Sequence, residues 1–185
     1  MKNYNKLNHI QSFNTKDTKM KKLTILIALL VVVGFSTNAF AGNSATASAT
    51  ATIVNPISIA KTADMNFGNV ATDGTVGTVI LAAAGTRTKT GGVTLPATVG
   101  TVTAATFTVT GVSGYTYAVT LPVAATVVSS GANNMNVDTW TSDAGGTITG
   151  GTVTLHVGAT LNLVATQVAG VYVSATPFTV TVNYN

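Results

Sequence analysis

The chain has 185 residues, no cysteine, 9 basic and 5 acidic side chains, and a formal net charge of +4. Six lysines and Asp17 lie before residue 42, so residues 42–185 keep three basic groups (Lys61, Arg87, Lys89) against four aspartates and carry a charge of −1. Those 144 residues hold one histidine, His156, and no glutamate, a composition that argues against a basic phosphate-binding surface, a disulfide framework and a converging set of catalytic groups.

The first element in chain order reads as an export leader. Lys19, Lys21 and Lys22 form a positive patch, Leu23 to Val33 is an almost wholly apolar run, and Ala39-Phe40-Ala41 has the small-x-small pattern of a cleavage site. This three-part layout predicts a secretory signal over residues 1–41, cut after Ala41. The apolar run is well short of the roughly 20 residues that span a bilayer, so no membrane span is expected in the mature form. Met20 is an alternative start that would leave a shorter leader. The expected destination is the periplasm, the cell surface or the medium.

Residues 42–55 form an N-terminal extension. Ala45, Ala47, Ala49, Ala51 and Ile53 alternate with Ser and Thr. Strict alternation is the period of a strand, and two readings stand. One is a spacer or an ordinary first strand. The other is a strand donated to a neighbouring subunit. Burial is worth about 0.8 kcal/mol per CH₂, so the alanines would contribute little and Ile53 is the one large side chain in the run.

Residues 56–185 read as one β-sandwich domain. No apolar 3.6-residue period runs over a helical length, and threonine, which is stiff at χ1 and suits a pleated surface, occurs 31 times after residue 41. Strands are expected at Ile57–Ile59, Met65–Val70 and Thr75–Leu81, with Asp73-Gly74 as a hairpin turn. In Ala105–Thr110 the residues Ala105, Phe107 and Val109 share the inward face. Tyr115, Tyr117, Val119 and Leu121 align in the next run, and Met135–Trp140 forms another. Val153, Leu155 and Val157 point inward, and Leu161 and Leu163 continue that strand past Gly158. At the C-terminus Phe178, Val180, Val182 and Tyr184 point inward, with Thr179, Thr181 and Asn183 outward. The prediction is all-β: an antiparallel sandwich with no helix after the leader.

Few side chains offer chemistry. His156 falls on the threonine face of its strand, and no second histidine, cysteine or glutamate accompanies it to complete a zinc site. Asp138 and Asp143 flank Trp140 and a Gly-rich turn, which makes a weak calcium site or simple turn capping. No Gly-x-Ser-x-Gly elbow exists, and no base stands beside a nucleophile by sequence. No enzyme activity and no cofactor are expected. Trp140 alternates out of phase with Met135 and Val137, which would turn it outward as a candidate ligand contact.

The ordered segments Pro56-Ile57-Ser58-Ile59, Met65-Asn66-Phe67-Gly68-Asn69-Val70, Ala105–Gly111, Val157–Leu161, Gly170-Val171-Tyr172 and Phe178–Tyr184 resemble the bacterial domain-of-unknown-function family 4402. That family looks similar to the spore coat protein U domain and to alternate-type fimbrial subunits. The resemblance implies a secreted immunoglobulin-like β-sandwich with a role in surface fibres and no enzyme activity. It also implies that the alternating C-terminal strand, with Tyr184 next to last, is the strand through which fimbrial subunits meet a periplasmic chaperone. The absence of a cysteine pair and the small side chains of the extension depart from that pattern. The expected function is thus an exported structural subunit with strand-mediated homo-oligomer or fibre partners. The alternative is a monomeric secreted module that binds a glycan or protein near Trp140. Nucleic acid is not an expected partner.

Overall fold

A computed structural model describes residues 42–143 and 145–185. The predicted leader, with Ala39 and Ala41, lies outside the described residues. Residues 42–50 form part of one unit, are exposed and lie outside any strand. Ala51–Asn185 is a separate compact unit and contains every strand found among the described residues.

Among the described residues thirteen strands follow in chain order. They are β1 (Ser58–Ala63), β2 (Asn66–Phe67), β3 (Ala71–Leu81), β4 (Arg87–Thr94), β5 (Val102–Thr103), β6 (Ala105–Thr110) and β7 (Thr116–Thr120). Then come β8 (Thr126–Ser130), β9 (Asn133–Ser142), β10 (Gly146–Thr147), β11 (Thr152–Leu163), β12 (Val173–Ser174) and β13 (Thr181–Tyr184). Every pairing is antiparallel and no helix occurs among the described residues. The expected all-β sandwich is the fold that forms.

β11 is the spine. Its first half, Thr152–Val157, pairs with β6, which pairs with β1. Its second half, Ala159–Leu163, pairs on the same side with β3, and β3 with β4. The other side pairs with β9, followed by β8 and β12. Val153, Leu155, Val157, Ala159, Leu161 and Leu163 all fall on the inner face, as a period of two requires. Gly158 sits where the two halves meet. A Cβ there would collide with the Leu81 carbonyl oxygen and the following backbone, so the close approach of β3 requires glycine. The second sheet is smaller, with the order β10-β7-β13, and β2 and β5 form a separate two-stranded ladder.

The core divides in two. One cluster, around Val109, Tyr117, Ile148, Leu155, Val157, Val180 and Val182, is packed between the large sheet and the three-stranded sheet. The other, around Val79, Val93, Met135, Val137, Leu161 and Leu163, lies on the large sheet alone. On that half the partly buried residues packed over it include Phe67 of β2, Leu95 and Tyr172.

Three expectations are corrected. Asp73-Gly74 is not a hairpin turn but part of a bulge inside β3, where the register jumps between Thr72 and Gly77. Gly74 has φ +92°, and the Asp73 carboxylate accepts the Thr75 N–H at 2.9 Å and its hydroxyl at 2.7 Å. The side chain thus closes a local turn without reversing the chain. The reversal comes later, where Ala82 N donates to Thr86 O around Gly85. The bonds to Thr75 hold the Asp73 carboxyl below the ordinary aspartate value. A depressed folded pKa adds stability above the unfolded value and loses it as pH falls through the folded one. A two-dimensional NMR titration should therefore give Asp73 a midpoint below that of an unstructured aspartate, and Thr75→Ala should move it back up.

Tyr115 is the second correction. It lies before β7 and is exposed, because Gly114 (φ +88°) turns the chain and Tyr115 N closes that turn on Val112 O. Trp140 is the third. It packs against both core clusters, with its ring 4.4 Å from that of Phe178. Thr139 has φ +51° and the β9–β11 register slips there, so Thr139 and Trp140 together face Ala159. One extra residue reverses the parity and returns Trp140 to the face of Met135 and Val137.

Candidate functional site

One candidate surface of this sandwich is a pair of free strand edges. Among the described residues β13 ends the small sheet and pairs only with β7, and β1 ends the large sheet and pairs only with β6. The two free edges lie near one another. Ahead of β13 the chain from Phe178 to Val180 keeps the same alternation, with Val180 buried and Phe178 half-buried, yet belongs to no ladder. The segment Phe178–Tyr184 therefore presents apolar side chains to the core and unpaired backbone N–H and C=O groups to the side. Such an edge is a template for another strand.

A groove of about 1180 Å³ opens at the Phe178 end of this edge. Its walls include Met65, Phe67, Met135, Leu161, Leu163 and Phe178. It lies over the core cluster that the small sheet does not cover. Small-molecule pockets run to roughly 300–1,000 Å³, so this opening is somewhat larger than a compact ligand fills. Its far wall is a segment over residues 167–174, in which Tyr172 Oη donates to Val168 O at 2.7 Å and receives Gln167 Nε2 at 2.7 Å.

The few charges near the groove hold backbone in place. The Arg87 guanidinium donates to Phe67 O and to Asn69 O, at 2.9 Å for the second, and so fixes the β2 end over the groove. Lys61 pairs with Asp64 at 2.6 Å on an exposed surface.

The predicted site residues fall in different places. Phe178, Val180, Val182 and Tyr184 do lie together on the inward face of the free edge. The Tyr184 hydroxyl accepts the Val112 N–H at 2.7 Å and donates to Asn55 O at 3.1 Å. Ala45, Ala47 and Ala49 are exposed and outside any strand, as are Ala51 and Ile53 in the compact unit; Ile53 is 97% exposed. His156 stands on the threonine face, opposite Thr106. It has a partner that sequence reading missed: Asp143 accepts the His156 N–H at 2.8 Å with one oxygen and meets Nδ1 at 2.5 Å with the other. Register alone decides that pairing, since β9 and β11 place Ser142 opposite Val157. Asp138 sits elsewhere, opposite Thr160, so the two aspartates do not share a site. Among the described residues no three histidine, cysteine, aspartate or glutamate side chains come together to hold a metal ion. Tyr117, behind Asp143, has its phenol pushed up by burial and then by that carboxylate.

The model of one protein family, described as a domain of unknown function, DUF4402, matches residues 57–184. The chain belongs to the DUF4402 family. The match begins at Ile57, beside β1, and closes on Tyr184, so both free edges lie within the DUF4402 domain. The extension, residues 42–55, precedes it. No curated protein and no solved structure matches the chain.

Proposed function

We propose that this protein is an exported structural subunit that assembles by strand complementation. The observation that carries the reading is the free Phe178–Tyr184 edge, with the apolar groove opening at its end. A strand from a second copy would pair with the edge and lay alternate side chains into the apolar opening. Each added ladder hydrogen bond contributes about 0.5–1.5 kcal/mol net, so backbone pairing along seven residues is the main source of affinity. Residues 45–53 are the donor in this reading. Their alternation fits an added strand, and Ile53, exposed and large, is the anchor. The leader ending at Ala41 would deliver the subunit out of the cytoplasm, to a fibre or coat at the cell surface. A periplasmic chaperone would be a second protein able to cover the same edge before assembly.

A monomeric binding module remains the alternative. It drew on an outward Trp140, and a ring packed on Phe178 removes that support. The test compares residues 42–185 with residues 56–185 by size-exclusion chromatography and negative-stain imaging. Fibres or large oligomers of the longer chain alone are the expected result. Two indistinguishable monomers would reject strand complementation and send the search to ligands.

A further inference from the structure

Strand complementation leaves open how a subunit keeps its donor arm away from its own acceptor and aimed at the next copy. The Tyr184 hydroxyl answers this. It is the next-to-last residue, yet it holds Asn55 O at 3.1 Å across 129 positions of sequence, at the point where the extension leaves the domain. The same oxygen accepts the Val112 N–H at 2.7 Å, and the Tyr184 ring lies 5.4 Å from that of Tyr115. Gly111 leaves room for the hydroxyl, since a Cβ there would approach it to 2.6 Å. The hydroxyl is thus immobilised from three sides, and its remaining hydrogen bond goes to the arm.

The position matters because of where the groove opens. The groove wall includes Pro177 and Phe178 and no residue of β13 itself. Phe178 and Tyr184 are six strand steps apart, roughly 20 Å at about 3.3 Å per residue. The arm therefore leaves from one end of the acceptor edge while the deep part of the acceptor lies at the other. Donor and acceptor are different surfaces, so an arm passed from each copy to the next builds an open filament, whereas two copies that exchange arms close a two-fold dimer.

Resting on the strand-complementation reading, we infer that Tyr184 is the positioning residue of the donor arm, its bond to Asn55 fixing where the arm leaves the domain. The role separates from a purely structural one, because the phenyl ring serves the acceptor core and the hydroxyl serves the arm.

The experiment uses residues 42–185 with Tyr184→Phe, which keeps the ring. Two activities are read: the rate of self-assembly, and capture of a fluorescent peptide of residues 43–54, which reports the acceptor alone. Assembly should slow about fivefold, the effect of one hydrogen bond, with peptide capture unchanged within twofold and a spin label at position 51 gaining mobility. Assembly at the wild-type rate would overturn the inference. Equal loss of assembly and capture would also overturn it, since Tyr184 would then only hold the fold. A separate variant, Ala47→Pro with Ala49→Pro, tests the underlying reading: if it assembles as the wild type does, the arm is not the donor and the function proposed above fails first.

Discussion

A peptide of residues 43–54 is expected to stabilise residues 56–185 strongly. Binding to the folded state alone adds RT ln(1 + [L]/Kd), about 2.7 kcal/mol at a hundredfold excess over Kd. For a domain of this size a gain of 1 kcal/mol raises the melting temperature by roughly 2–8 °C, so the shift should exceed 5 °C and scale with peptide concentration. The reason lies in the unfinished half of the sandwich. Val79, Met135, Val137, Leu161 and Leu163 sit on one sheet with only short ladders and loops across from them, and the groove beside them is open. A peptide with Ile53→Ala should stabilise less, because it gives up its largest apolar side chain, worth about 1.5–3 kcal/mol on full burial. Differential scanning fluorimetry across a concentration series checks both peptides. No shift at millimolar peptide would mean that this strand does not fit this edge.

The second large effect belongs to the finished half. Leu155→Ala should cost about 2–5 kcal/mol, the range for a truncated core leucine that leaves a cavity. Leu155 is 0% exposed and packs between both sheets with Val109, Tyr117, Ile148 and Val182. Against a total stability of about 5–15 kcal/mol this is a large share. The next residue makes the contrast. His156 points to the threonine face and pairs with Asp143 where both side chains are well exposed. Exposed pairs contribute about 0–1 kcal/mol, so His156→Ala should fall in that range. Urea unfolding of the two variants, one position apart, tests whether the alternation along β11 sets the inside and outside of the domain.

That alternation is the part of the fold the sequence carries openly. Val153, Leu155 and Val157, then Leu161 and Leu163, follow a period of two that no helix could use, and they are core residues in the folded domain. The Phe178–Tyr184 run is legible in the same way. Trp140 and Asp73-Gly74 are not. Each sits at a bulge, where one strand holds more residues than its partner. A bulge is a relation between two strands, and a single run of residues does not carry it. The same holds for the His156–Asp143 pair, which depends on which strands become neighbours and in what register. The groove is legible nowhere, because it is the space left by a small sheet that stops short of the large one. The resemblance drawn from ordered short motifs reaches the same family as the match over residues 57–184. It points to the fold and leaves the role of the free edge to be tested.

The most direct test is amide hydrogen exchange along Phe178–Tyr184, measured for residues 56–185 alone and after the longer chain has assembled. The account predicts fast exchange at alternate amides of the free edge in the isolated domain, and strong protection of those amides in the assembly. An assembly in which these amides exchange as they do in the isolated domain would contradict it, whatever else holds the copies together.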